Sequence, residues 1–165
     1  MEFFQSPSSE DRPFRRFAHG RLSAYLLDAG EPLGPTADYL AELVDNQIAS
    51  TVTGLDRFHE LLASSDICLS ANSFEEERRA HKQIGDSVLF WTGVFPERAE
   101  KQLPTMILSP VKLGKSSYLA VSSFDYGPYA AQAPLFRLLS ERFELYLCAL
   151  RAFREGWGDL GPAIN

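Results

Sequence analysis

Three observations predict an all-α fold, a single-domain bundle of about six helices. Ile84, Val88, Trp91 and Phe95 recur at i, i+4, i+7 and i+11, which is one face of an unbroken helix. From Pro134 onward, Leu135, Leu139, Phe143, Tyr146, Leu150 and Phe153 alternate spacings of four and three. Ser73 and Glu76 form the S-x-x-E pattern of a capping box, which satisfies two backbone donors at a helix start.

The elements follow in order. Residues 1–12 are polar and Pro/Ser-containing and are expected to form a flexible arm, with 13–165 as the single helical domain. Phe14, Phe17, Ala18, Leu22, Tyr25 and Leu26 give a first helix from Pro13 to a glycine cap at Gly30, despite the internal Gly20. After the loop GEPLGPT, Thr36 is expected to cap a second helix carrying Leu40, Leu43, Val44 and Ile48 and ending near Ser50. A shorter helix is expected from about Leu55, with Phe58, Leu61 and Leu62 inward, dissolving into the Ser-rich stretch 64–70.

Ser73 opens the next helix, which the spacing carries to Pro96. The density of strand-favouring residues in SVLFWTGVF leaves a buried strand over 87–95 as the alternative. In 105–124, Leu113, Ser117, Ala120 and Phe124 keep helical spacing, and Ser109-Pro110 reads as a cap followed by proline in the first turn. A β-hairpin is the alternative there. The segment opened by Pro134 is expected to be one helix of about 22 residues, roughly 33 Å long. Its apolar arc is widened by Leu138, Leu145, Ala149 and Ala152, which points to a central core helix or to a homodimer through this helix.

Composition narrows function. A 165-residue chain, 45% hydrophobic with twelve Phe, is long enough for one core. A net charge of −6 disfavours the phosphate-neutralising surface of a nucleic-acid binder and adsorption to anionic lipid, so neither nucleic acid nor membrane is an expected partner. Cys68 and Cys148 lie far apart and no disulfide scaffold is needed, which suits a reducing compartment. The N-terminal stretch lacks a basic leader and an apolar run, and no apolar stretch approaches the ~20 residues of a membrane span. A cytoplasmic location is expected.

Ile84 to Glu97, IGDSVLFWTGVFPE, resembles a group of bacterial helical proteins without an assigned activity, whose centre reads Leu-Gly-Asp, an apolar stretch, then Gly-Phe-Phe-Pro-Glu. Gly114-Lys-Ser-Ser-Tyr118 and Leu135-Phe-Arg-Leu-Leu-Ser-Glu-Arg-Phe143 are similar to the group's Gly-x-x-Ala-Tyr and Leu-Phe-x-x-Leu-x-x-x-Phe segments, and the resemblance spans about Leu40 to Phe153. Val94 stands at the first Phe position of the Pro-Glu motif, and Ser117 replaces the usual Ala. The resemblance implies a helical fold and carries no chemistry.

No catalytic, metal or cofactor pattern survives inspection. Gly114-Lys115-Ser116 imitates the end of a phosphate loop, but position 109 is Ser where glycine is required. His59-Glu60 begins like a metalloprotease helix, but position 63 is Ala. His19, His59 and His81 share no ligand spacing, and Cys148 is expected to behave as a small buried hydrophobe. The cluster Arg12, Arg15, Arg16 and Arg21 is diluted by acidic neighbours and reads as a solvated face.

Asp86 is the exception, a carboxylate in an apolar helical run that is costly unless paired, with Lys82 or Tyr118 as candidate partners. Gly85 and Gly93 each cost roughly 1 kcal/mol inside a helix, which close helix crossing or backbone access for a ligand would offset. Gly85, Asp86, Gly93, Gly114 and Tyr118 are therefore the candidate structural or ligand site. The leading expectation is a non-catalytic interaction or regulatory protein with an unidentified protein partner. The alternative is a small-molecule binder or enzyme with a pocket around Asp86 and Tyr118.

Overall fold

Proline and serine set most of the helix starts. The computed structural model describes residues 12–32, 34–49, 71–102 and 109–157, which contain seven α-helices and no strand. The strand alternative for 87–95 and the hairpin alternative over 110–122 are thereby overturned. The arm before Arg12, the expected helix from about Leu55, His59-Glu60 and Cys68 lie outside the described residues.

Helix α1 spans Pro13–Asp28 and ends as the sequence predicts. Gly30 adopts φ +82, and the amides of Gly30 and Glu31 bond back to Leu27 and Leu26, the two bonds that close a helix through a left-handed glycine. Helix α2, Pro35–Ala49, begins one residue before the expected cap. Proline's fixed φ suits a first helical position, which places Thr36 inside the first turn, where it is buried and hydrogen-bonds with Tyr146 rather than capping.

Helix α3, Phe74–Val94, is capped by Ser73, whose Oγ accepts from the Glu76 amide at 3.2 Å. The Glu76 carboxylate accepts from the Asn72 amide at 2.9 Å, one residue earlier than a standard capping box requires. Every residue from Ile84 to Trp91 is buried, so this part of α3 is enclosed on all sides. A short α4, Pro96–Gln102, follows directly, and α5, Pro110–Ser122, is capped by Ser109 as expected.

The single C-terminal helix is corrected to two: α6, Ala133–Glu141, and α7, Phe143–Gly156. The joint is Arg142, at φ −112 and ψ 28, outside helical geometry. Its amide still bonds to Leu138 and its carbonyl still accepts from Tyr146, so the chain bends without losing the helical ladder there. At this joint Arg142 pairs with the buried carboxylate of Glu31, in the loop between α1 and α2, and Tyr146 donates to the same carboxylate at 3.4 Å. The apolar spacing runs through the joint unchanged, which is why periodicity shows one helix.

Helix α3 is the centre of the bundle: α5 and α7 pack along it, α2 and α4 touch it, α6 lies on α5, and α1 closes over α2 and α7. The aromatic residues form two groups. Phe14, Phe17, Phe95, Phe153 and Trp157 meet where α1 and α7 approach the end of α3. Tyr39, Phe136, Tyr118 and Phe143 form a chain of ring contacts between α2, α5, α6 and α7, beside Asp86. Among the described residues no helix is long and apolar enough to cross a membrane.

Candidate functional site

Helix α3 carries Asp86 into this second aromatic group, where its side chain is 12% exposed. A carboxylate so placed needs donors, and three side chains from three helices supply them. Lys82, one turn earlier on α3, places Nζ 2.7 Å from Oδ2. Tyr118 of α5 donates to Oδ1 at 2.8 Å, and Tyr39 of α2 donates to the same oxygen. The Lys82 ammonium also lies 5.4 Å from the centre of the Tyr39 ring. Both sequence-named partners, Lys82 and Tyr118, are present, and Tyr39 is the one that spacing along the chain could not reveal.

Burial, and then the negative charge of Asp86, push the Tyr39 and Tyr118 hydroxyls well above the usual tyrosine value. Both remain protonated donors throughout the physiological range. Asp86 therefore sits as an ionic acceptor fixed by two hydroxyls and one ammonium. Such a group orients its neighbours. Among the described residues no three His, Cys, Asp or Glu side chains gather as a metal site.

The candidate glycines are points of close approach. A Cβ on Gly85 would lie 2.7 Å from the Tyr118 ring, one on Gly93 2.8 Å from Leu150, and one on Gly114 2.3 Å from Phe143. Gly85, Asp86 and Tyr118 thus form one locus, in which the missing side chain lets the tyrosine ring lie on α3 and aim its hydroxyl at the next residue. Gly114 is linked to it through Phe143, whose ring is 6.0 Å from that of Tyr118. Gly93 belongs to the separate α3–α7 crossing.

Beside Asp86 opens a cleft of about 230 Å³ of mixed character, walled by Glu42, Asn46, Lys82 and Gln132 and by Leu43, Leu135 and Phe136 among others. Gln132 and Phe136 also touch Arg78, about one turn before Lys82. In the sequence Arg78 is one charge among five in the run Glu75–Arg79, yet its exposure is only 9%. The buried character of the following helix was the signal that could have drawn attention to it.

The other motifs resolve structurally. Lys115 of the imitation phosphate loop pairs with Glu144 at 2.9 Å, inside a regular helix. Cys148 is exposed, correcting the expectation of a buried hydrophobe: it falls on the polar stripe of α7, opposite the core. Arg12 and Arg15 pair with Asp45 and Glu42 of α2, and His19 lies 2.9 Å from Asp38. Comparison with family models, with characterised proteins and with solved structures finds no match to this chain.

Proposed function

We propose that this chain is a non-catalytic binding protein of regulatory type, which seats a small polar molecule in the cleft beside Asp86. The observation that carries the reading is the cleft itself: a recess walled by the apolar side chains of Leu43, Leu135 and Phe136 together with amides and charges, next to a carboxylate already held in place by three donors. Preformed polar groups at the edge of a rigid core are what small-molecule recognition uses. The same saturation of Asp86 counts against a general base. A protein partner has less support, because the exposed large hydrophobics among the described residues, Leu27, Phe74, Leu119 and Tyr126, are spread over four segments of the chain. A cytoplasmic location and a bacterial origin belong to this reading, supported by the acidic composition and by the Gly-Asp and Pro-Glu motifs.

A thermal-shift screen with a panel of small polar metabolites tests it. A ligand present at a hundred times its Kd adds about 2.7 kcal/mol to stability, a shift of several degrees for a domain of this size. Gln47→Trp, which fills the cleft wall, should abolish that shift while leaving the helical spectrum intact. Equal shifts in both proteins, or none in the wild type, refute the cleft as a ligand site.

Homodimerisation through the C-terminal helices is a separate proposal. Leu138 and Leu145 support it by remaining half-buried, whereas Leu139, Phe143, Tyr146, Ala149, Leu150 and Phe153 are covered by the chain itself. Light scattering at micromolar concentration decides: a mass near twice 18.5 kDa supports the dimer, and a monomer removes it.

A further inference from the structure

A guanidinium taken out of water is costly unless an anion or a full set of acceptors replaces the hydration. Arg78 has neither. Of its five N–H donors, one is used at 2.8 Å on the neutral Oε1 of Gln132, and Nε is buried without a partner. The guanidinium lies 4.4 Å from the centre of the Tyr129 ring and 5.5 Å from that of Phe136. No carboxylate pairs with it among the described residues, although Lys82, Arg12 and Arg142 each have one. Ring stacking returns part of the desolvation cost, but it leaves the charge uncompensated.

Arg78 does not itself wall the Asp86 cleft; its one polar partner, Gln132, is exposed and does, as does Phe136, so the Gln132 amide stands between the guanidinium and the recess. We propose that Arg78 is the anchor for a carboxylate on the molecule bound in that cleft, and that Gln132 Oε1 occupies the position the ligand oxygen takes. A carboxylate can accept two parallel N–H bonds from the guanidinium and adds the opposite charge that the neutral amide lacks, so the displacement of Gln132 is favourable. A carboxylate fits better than a phosphate, because the recess is lined by two carboxylates, Glu42 and Asp86, against the single ammonium of Lys82, which penalises a second negative charge. The Glu42 carboxylate and the amides of Asn46 and Gln47 suit hydrogen-bond donors at the ligand's other end. A recess of about 230 Å³ therefore selects a small carboxylic acid bearing a hydroxyl or ammonium group. This rests on the cleft being a ligand site, as proposed above.

The side-chain Nε–H resonance of Arg78, observed by NMR in the ¹⁵N-labelled full chain, reports the event directly. Millimolar acetate and glycine should each shift it, and inorganic phosphate and methylammonium should not. Arg78→Met should weaken the carboxylate response of the cleft amides by at least about tenfold without lowering Tm, because a buried charge lacking a counter-ion is removed. Gln132→Glu supplies the missing carboxylate within the chain: Tm should rise and the response to acetate should vanish. A fall in Tm for Arg78→Met together with no gain for Gln132→Glu makes the guanidinium a packing element and overturns the proposal. If carboxylates move the Asn46 and Gln47 side-chain amides but leave Arg78 unmoved, the cleft survives and the anchor fails. If phosphate shifts Arg78 equally, the carboxylate selectivity is wrong; if no cleft resonance moves with any probe, both readings fail.

Discussion

On α3, Asp86 receives two tyrosine hydroxyls and an ammonium, whereas Arg78, about two turns earlier on the same helix, receives one amide carbonyl and the faces of two rings. Both side chains are nearly buried. The first charge is answered from within the fold, and the second is not. The difference separates two reasons for keeping a charge inside a helical bundle: one fixes how helices cross, and the other holds an unsatisfied capacity to bind.

The largest expected effect breaks the saturated side of that comparison. Asp86→Ala should lose on the order of 2–4 kcal/mol in denaturant titration, since the buried Tyr118 hydroxyl, the half-buried Tyr39 hydroxyl and an ammonium lose their acceptor together. A loss below about half a kcal/mol would mean that these partners find other acceptors and that the carboxylate does not organise the crossing.

The crossing itself gives the next effect. Gly114→Ala forces a methyl to within 2.3 Å of the buried Phe143 ring and should cost about 1–3 kcal/mol. Gly20→Ala, on the exposed face of α1 with nothing within 4 Å of the new methyl, should instead stabilise by up to ~1 kcal/mol. Opposite signs for two helical glycines distinguish close approach from propensity; equal signs would show that the ring of Phe143 yields.

Alkaline titration sharpens the comparison further. Tyr39 and Tyr118 have folded-state pKa values raised by burial and by Asp86, so the stability they contribute is fully present below the unfolded value of about 10 and is lost as pH rises through the higher folded values. Tyrosinate absorbance from these two residues should therefore appear only with alkaline unfolding. Asp86→Asn, which removes the negative charge, should move their ionisation downward. Early ionisation in the wild type would show that water reaches the hydroxyls.

The smallest effect belongs to the solvent-facing pair Lys115–Glu144. Lys115 holds the Glu144 carboxyl below its usual range by hydrogen bonding, but both side chains are exposed, so Lys115→Ala should change stability by less than about half a kcal/mol. A larger loss would put Lys115 among the residues that organise the bundle.

Local chemistry made much of this legible in the sequence. Ser73, Ser109-Pro110 and Gly30 act through neighbours within a few positions, and each ends or starts a helix where the residue types require it. Asp86 stands out for the same reason: its cost is read from the apolar residues around it, and Lys82 is one turn away. Tyr39 was not legible because it reaches Asp86 across 47 positions, through the packing of α2 on α3. Arg78 was hidden by its charged neighbours, since its covering by Tyr129, Gln132 and Phe136 is a property of the assembled bundle. The break at Arg142, where that side chain pairs with Glu31, is something that nothing in the spacing of α6 and α7 betrays.

That last pair has a consequence in time. Glu31 and Arg142 are 111 positions apart, and the rings that pack against Phe14 and Phe17 of α1 belong to α7. At roughly 5–20 residues per second, a ribosome needs on the order of ten seconds to make the residues between the two members of the pair. Throughout that interval α1 and α2 have each other but not their counterpart. The contacts that fasten the beginning of the bundle are thus of the long-separation kind that slows folding. The helices made first are secured only after α7 has been made.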